Sequence, residues 1–312
     1  MTEPRLITID AEYLKPDLAA CYLRVQKDEA AFIETNTTRT LPRLLQALQQ
    51  EGLAPEQVRW IIVTHAHLDH AGGASALMEA CPAATLVAHP RAARHLIDPT
   101  RLVASAEKVY GAEEFARLYG TMAPIPAERV RVMEDGDSLP LGDAVLHFLH
   151  TPGHAKHHMV VHDPARETVF TGDTFGLAYP RLQRAGRFVI ASTSPTDFNG
   201  PDAKASVDRV MSLGTRTACL THFGEIDELE TAAAQLRRWL DLSEELEARA
   251  VELPADEAEP MIRAALEEEM ERAAQRRGLV LDASDRDLLE LDLGLNAQGL
   301  AFIAGRKRDA SS

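Results

Sequence analysis

The chain has 312 residues, 45% of them hydrophobic, and its 33 Lys and Arg against 48 Asp and Glu give a formal net charge of −15. This apolar fraction excludes an intrinsically disordered chain, and 18 Gly and 17 Pro exclude a collagen-like repeat. The acidic balance argues against a nucleic-acid partner, because a net-negative surface repels a phosphate backbone.

The N-terminal stretch MTEPRLITID lacks the pattern of an export signal, and no run of about 18 apolar residues occurs. We therefore expect a cytoplasmic protein with no membrane partner. The three cysteines, Cys21, Cys81 and Cys219, lie far apart in the sequence. Their spacing predicts neither a disulfide framework nor a cysteine zinc site.

Short apolar runs alternate with helical patterns over the first two thirds of the chain, which predicts a layered α/β fold of two similar sheet-and-helix halves. Helices are predicted around Leu41–Leu48 and Asp202–Leu213. The predicted strands are Cys21–Val25, Ala31–Glu34, Trp60–Val63, Thr85–Ala88, Val130–Met133, Val145–His150, His158–Val161, Thr168–Thr171 and Thr217–Leu220.

One helical region lies between the two halves, and another follows them. Residues 99–126 form a predicted helical insert that either covers a site or packs on the core edge. After His222 the pattern is helical, with a predicted break around Pro254 and Pro260, and it indicates a cap or a homodimer interface. We expect a catalytic domain over residues 1–240 and a helical C-terminal region over 241–312.

Most of the acidity belongs to this C-terminal part. From Glu225 to Glu290 there are 20 Asp or Glu and 8 Lys or Arg, so the charge describes a solvated helical surface. The net charge therefore does not exclude an anionic small molecule elsewhere. It indicates that the C-terminal region is a poor place for a phosphate or glutathione clamp.

A cluster of metal-competent side chains follows the predicted strand at Trp60–Val63. The cluster reads H-x-H-x-D-H and consists of His65, His67, Asp69 and His70. In an extended segment residues two apart point the same way, so His65 and His67 can converge on one ion. The chain then turns into a helix, where the other two can reach a second ion. Imidazole and carboxylate are ligands for zinc and similar ions, and the cluster predicts a metal site.

Three later residues complete the pattern. His154 in TPGH, Asp173 in TGDT and His222 in THFG each follow a predicted strand. A loop at the end of a strand presents its side chains from a rigid sheet. Each residue alone is weak evidence, but together they predict one metal site at the strand ends.

These motifs resemble those of the metallo-β-lactamase superfamily over roughly Ala20–Leu240. The resemblance implies an αββα sandwich with a dinuclear metal site. Zinc is the expected metal, with iron and manganese as alternatives. The implied ligands are His65, His67 and His154 for the first ion, Asp69, His70 and His222 for the second, and Asp173 as the bridge between them.

The run HAHLDHAGG at His65–Gly73 is similar to that of glyoxalase II and acyl-homoserine lactonases. This similarity implies hydrolysis of a small carbonyl substrate, a thioester or a lactone, by a metal-bridging hydroxide. Asp69 and Asp173 would orient the hydroxide and assist proton transfer. Tyr179 stands where lactonase-like relatives place a phenol near the oxyanion, or else it is a packed aromatic.

Redox chemistry at iron is the alternative function. In flavodiiron-type relatives the cluster reads H-x-E-x-D-H, whereas His67 here occupies the glutamate position, which favours zinc. Persulfide dioxygenases and oxygen-binding di-iron proteins of this superfamily nevertheless hold iron at His-type sites. A non-haem iron redox protein of the same fold therefore stays open.

The resemblance also concerns residues around the site. Many relatives have a supporting Asp where this chain has Glu34 and Thr35, and His158 recurs in relatives as PGHxxxH. The other histidines lack partner spacing. We expect surface or core-edge positions for His89, His95, His147, His150 and His162.

Overall fold

The computed structural model describes residues 3–193 and 197–311. The chain divides into two compact units. The first consists of Met1–His150, His157–Gly172 and Gly214–Asp227, and the second of Thr151–Lys156, Asp173–Leu213 and Glu228–Ser312.

The first unit contains two six-stranded sheets. In the first sheet the spatial order follows the chain; β1 to β3 are antiparallel and β3 to β6 are parallel. Its strands are β1 (Arg5–Asp10), β2 (Ala20–Gln26), β3 (Glu29–Ile33), β4 (Val58–Ile62), β5 (Thr85–Ala88) and β6 (Val130–Val132).

The second sheet has the order β12-β11-β10-β9-β8-β7. Its strands are β7 (Ser138–Leu141), β8 (Ala144–His150), β9 (Met159–Asp163), β10 (Thr168–Gly172), β11 (Thr217–Leu220) and β12 (Gly224–Ile226). β10 and β11 are parallel, and β9 is antiparallel to both β8 and β10. β8, β10 and β11 therefore run in one direction and end at the same edge of the sheet.

Six helices accompany these sheets in the first unit. They are α1 (Leu41–Gln50), α2 (Leu68–Ala71), α3 (Ala74–Ala80), α4 (Pro90–Ile97), α5 (Thr100–Tyr110) and α6 (Ala112–Tyr119). The predicted insert is thus helical, and it packs around Leu68 through Ala106 of α5 and through Phe115 and Tyr119 of α6.

The core of the first unit lies on both faces of the first sheet. Successive side chains of a strand point to opposite faces. Cys21 and Leu23 of β2 accordingly pack with helix residues such as Leu48, whereas Tyr22 packs with Phe170 of the second sheet. All three cysteines are buried free thiols in this unit.

Four helices dominate the second unit. They are α7 (Gly200–Met211), α8 (Leu229–Val251), α9 (Ala255–Arg276) and α10 (Ala283–Ser311). α8 packs against the other three. The predicted domain boundary at residue 240 falls within α8 and stays a prediction. No helix among the described residues has the length and apolarity to cross a membrane.

The predicted strands and helices are present, with ends that differ by at most two residues. Three short strands, β1, β7 and β12, were not predicted. The break at Pro254 is confirmed, but the break at Pro260 is wrong, because Pro260 lies inside α9. Pro260 and Asp256, four residues earlier, are both exposed, so water can reach the carbonyl that loses its helical hydrogen bond.

Candidate metal centre

The residues after β4 bring the first two histidines together. Nε2 of His65 lies 2.8 Å from Nδ1 of His67. The two-residue spacing in an extended segment therefore has the predicted effect, since both rings turn to the same side. Two imidazole nitrogens this close share either a hydrogen or a metal ion.

The short helix α2 carries the next two candidates, and the loop after β11 carries a third. Ligand atoms of Asp69, His70 and His222 all lie within 4.8 Å of one another. Oδ2 of Asp69 is 3.4 Å from Nε2 of His222 and 3.7 Å from Nε2 of His70. One carboxylate and two imidazoles at these distances are a donor set that fits a divalent transition-metal ion.

The orientation of His222 is fixed by the backbone. Its Nδ1 is 2.8 Å from the carbonyl oxygen of Leu18, in the loop between β1 and β2. A carbonyl only accepts, so Nδ1 carries the hydrogen and Nε2 keeps its lone pair towards Asp69. Partners of this kind fix the tautomer that a metal-binding histidine needs.

The buried carboxylate of Glu34 lies next to two of the candidate histidine ligands. Its side chain is 1% exposed, and Oε1 accepts a hydrogen bond of 2.5 Å from the Thr64 hydroxyl. That hydroxyl oxygen is 3.0 Å from Nδ1 of His65, and Oε2 of Glu34 is 3.5 Å from Nδ1 of His70. The Thr64 hydroxyl donates to Glu34, so its oxygen can accept from Nδ1 of His65, and a carboxylate oxygen near Nδ1 of His70 favours a hydrogen on that nitrogen as well. Both arrangements leave Nε2 for a metal.

The loop after Glu34 also holds the backbone of α2. Asn36 donates from its amide to the carbonyl of Asp69 at 2.8 Å, and the Thr35 hydroxyl donates to the carbonyl of His70 at 2.9 Å. A Cβ on Gly73 would lie 2.7 Å from a carbonyl oxygen of this loop. The absence of a side chain at Gly73 therefore allows this loop and the segment that carries Asp69 and His70 to approach closely.

His154 and Asp173 belong to the second unit, where Nε2 of His154 lies 3.3 Å from Oδ2 of Asp173 and both side chains are buried. The chain connects them directly to the second sheet of the first unit. His154 comes four residues after the end of β8, and Asp173 immediately follows β10. Each of the two residues is therefore close in sequence to the end of a strand, as is His222, which follows β11.

Tyr179 is 3% exposed, and its carbonyl accepts a hydrogen bond of 3.2 Å from Gln183. Its proposed role at an oxyanion, together with the division of ligands between two ions, stays a prediction at this point.

Two further histidines lie beside the cluster. The His158 ring is buried, with its centroid 4.9 Å from that of His65. The sequence did not single out His157, whose Nδ1 accepts a hydrogen bond of 3.3 Å from the Ala66 amide. His89 is also buried, next to His150; burial first, and then the charge of His150, lower the pKa of His89 to about 4.

Tyr13 is a second residue that the sequence did not indicate. Its hydroxyl is 3.2 Å from the hydroxyl of Tyr119 in the insert. Burial, and then the negative charge of Asp69, raise the pKa of Tyr13 well above its ordinary value. The β1–β2 loop and the insert therefore meet near Asp69, one of the candidate ligands. The sequence around Tyr13 contains no pattern that would have predicted this contact.

Residues 14–222 match the family model described as the metallo-beta-lactamase superfamily. The chain belongs to the metallo-β-lactamase superfamily. This matched range includes all seven predicted ligands, and the predicted α/β fold class is confirmed. The narrower similarity to glyoxalase II and lactonases stays a prediction.

Individual relatives are distant. The metallo-beta-lactamase fold-containing protein ST1585 of Sulfurisphaera tokodaii is 27% identical over 173 residues, which are 54% of this chain and 62% of that protein. The chain thus matches less than two thirds of this curated relative. The solved structure of ST1585 from Sulfolobus tokodaii superposes with a TM-score of 0.67 at 20% identity, covering 95% of this chain and 97% of that one.

A functionally named relative matches a smaller region. The bovine acyl-coenzyme A thioesterase MBLAC2 is 29% identical over 123 residues, which are 36% of this chain and 39% of that protein. The structure of a metallo-beta-lactamase family protein from Thermus thermophilus, TTHA1429, has a TM-score of 0.62 at 21% identity over 99% of this chain and 95% of that one. These structural similarities concern the fold.

Proposed function

We propose that this superfamily member is a metal-dependent hydrolase that binds two divalent ions, zinc by preference, and cleaves a thioester or lactone. One observation carries the proposal: Asp69, His70 and His222 bring their ligand atoms within 4.8 Å of one another. A carboxylate and two imidazoles gathered in this way, with the Leu18 carbonyl fixing one tautomer, are typical of a metal site.

The proposed ligands follow the resemblance described above. The direction of the strands supports this assignment, because β8, β10 and β11 end at one sheet edge. The ligands are His65, His67 and His154 for the first ion, Asp69, His70 and His222 for the second, and Asp173 for both.

When bound, two cations at this site would supply hydroxide at neutral pH and electrostatic stabilisation of the developing oxyanion. The protein's own residues have separate roles. The carboxylates of Asp69 and Asp173 accept hydrogen bonds from the attacking group and orient it. The Tyr179 hydroxyl is the proposed donor to the substrate oxygen. Glu34 and the Leu18 carbonyl hold the imidazoles in their ligating tautomers.

A thioester is the preferred substrate class. The support is the named activity of the MBLAC2 relative, together with the similarity of the HAHLDHAGG run to glyoxalase II. His67, where a glutamate would favour iron, supports zinc and therefore hydrolysis.

Turnover of thioester and lactone panels tests the proposal. We expect His67→Ala and Asp173→Ala to lower kcat/KM by at least about 100-fold, since loss of a ligand costs more than loss of its supporting partner. His147→Ala is the matched control, because His147 lies on β8 facing His162 and outside the ligand set. Wild-type turnover in either ligand variant would refute the hydrolase mechanism.

Metal analysis of the protein as isolated tests the second part. We expect zinc at about two ions per chain and loss of turnover after chelation, with recovery on adding zinc. Stoichiometric iron, together with oxygen uptake on a persulfide, would replace hydrolysis with the redox alternative.

A further inference from the structure

Helices α8 and α9 of the second unit line a cavity of about 460 Å³ that is open to solvent, which we call the α8–α9 cavity. This volume lies in the range of small-molecule binding sites. No predicted metal ligand belongs to its lining. The residues that line it are Thr231, Ala234, Gln235, Arg238, Trp239, Glu269, Ala273, Arg276 and Arg277.

Three guanidinium groups face this one cavity. Arg238 comes from α8, while Arg276 and Arg277 come from the end of α9. Arg238 is exposed, and no ion pair joins it to any other residue that the structure describes. Arg277 donates from Nε to the carbonyl of Arg187 at 3.0 Å, so its two terminal nitrogens remain for another partner.

Trp239 provides a further donor. Its side chain lines the cavity and is buried, with 6% of the residue exposed. Within residues 3–193 and 197–311, its indole N–H donates no hydrogen bond to another residue. The N–H is therefore able to donate to an acceptor that is bound in the cavity.

The acceptors in the lining are already engaged. Glu269 binds Arg272 and Arg276. The Gln235 oxygen accepts from the Val189 amide at 3.1 Å, and its nitrogen donates to the Arg187 carbonyl at 2.9 Å. Donors and positive charge therefore exceed acceptors and negative charge in this cavity.

We propose that the α8–α9 cavity binds a small organic anion. Arg238 and Arg277 contact its phosphate or carboxylate group, because a guanidinium matches both groups with paired hydrogen bonds. The indole N–H of Trp239 donates to a further ligand oxygen, and Ala234 and Ala273 contact its apolar part. This binding is independent of the proposed metal centre.

The site differs from the expectation drawn from the net charge of this region. The 20 acidic residues between Glu225 and Glu290 predicted a poor place for an anion. Only one of them, Glu269, lines the cavity, against three arginines. The residues that line the cavity therefore carry a net positive charge, although the region as a whole is net negative.

Isothermal titration calorimetry of the full chain at low ionic strength tests the proposal, with inorganic pyrophosphate, AMP and citrate as probes. We expect at least one probe to bind, and its affinity to fall about 10-fold in Arg238→Gln, as for the loss of a charged hydrogen bond. Arg249→Gln is the matched control, because Arg249 is an exposed arginine of the same helix outside the cavity. Its affinity should equal that of the wild type.

Tryptophan fluorescence gives a second readout. The wild-type emission should change on binding, and Trp239→Phe should abolish this change although Trp60 remains. Binding of pyrophosphate and AMP alone would identify a phosphate site, and binding of citrate alone a carboxylate site. If no probe binds, or if Arg249→Gln weakens binding as much as Arg238→Gln, the proposal is overturned.

Discussion

At the scale of single residues, one buried carboxylate serves both proposed metal ions. Glu34 contacts His70 directly and His65 through the Thr64 hydroxyl, and each histidine is assigned to a different ion. The backbone of Glu34 is left-handed, with φ at 67°, which is uncommon for a residue with a side chain. The surrounding structure therefore holds this side chain beneath the site.

We predict that Glu34→Gln weakens metal binding by about 10- to 100-fold, because the amide no longer favours Nδ1–H on both histidines. Competition with a chelator and metal content of the purified variant measure the effect. Glu29→Gln is the control, since Glu29 begins β3, the strand that ends just before Glu34, and accepts a hydrogen bond from the Gly142 amide instead. Equal affinities in the two variants would contradict a positioning role for Glu34.

The sequence indicated seven candidate ligands because they stand in short motifs that follow strands. It could not assign a role to Glu34, nor indicate Tyr13 or His157 at all. The contacts of Tyr13 and His157 come from residues more than 90 positions away in the chain. A local pattern carries no information about such partners.

At the scale of elements, the close approach of the backbone at Gly73 to the loop after Glu34 positions α2, the helix that carries Asp69 and His70. We predict that Gly73→Ala lowers the free energy of unfolding by about 2 kcal/mol, because its Cβ would lie 2.7 Å from the carbonyls of Thr35 and Thr37. Urea denaturation measures the loss. Gly305→Ala should instead be neutral or stabilising, since no atom lies within 4 Å of its Cβ and alanine favours the helix.

The sequence predicted the longer elements because their hydrophobic periodicity is sustained. It missed β7, whose four residues include Pro140, and the three-residue β12, because neither offers enough alternation to recognise. Tertiary pairing creates these strands. α9 also differs from the prediction, because it continues through Pro260 although proline disfavours a helix interior.

At the scale of the whole molecule, a buried ion pair joins the two sheets of the first unit. Nε of Arg24 on β2 is 2.6 Å from Oδ2 of Asp163 at the end of β9, and both side chains are fully buried. Arg24 points to the same side of β2 as Tyr22, into the space between the sheets. The two residues are 139 positions apart, which is why the sequence did not pair them.

We predict that Asp163→Ala destabilises the protein by about 3–5 kcal/mol, because it leaves the Arg24 charge buried without its counterion. Arg24→Met combined with Asp163→Leu should recover most of this loss. Glu114→Ala is the exposed control: its carboxylate accepts a hydrogen bond of 2.7 Å from Nε of the exposed Arg117, and its removal should cost much less than that of Asp163. Equal losses on urea denaturation for Asp163→Ala and the double variant would show that the charge is not the cause.

The three buried thiols of the first unit can report how often that unit opens. Burial raises the pKa of Cys81 to about 11 and those of Cys21 and Cys219 well above their ordinary values. At neutral pH each sulfur is therefore protonated and out of reach of an alkylating reagent. Alkylation can proceed only while the first unit is open, and its rate measures how often that happens. The second unit has no cysteine, so the alkylation rate reports the opening of the first unit alone.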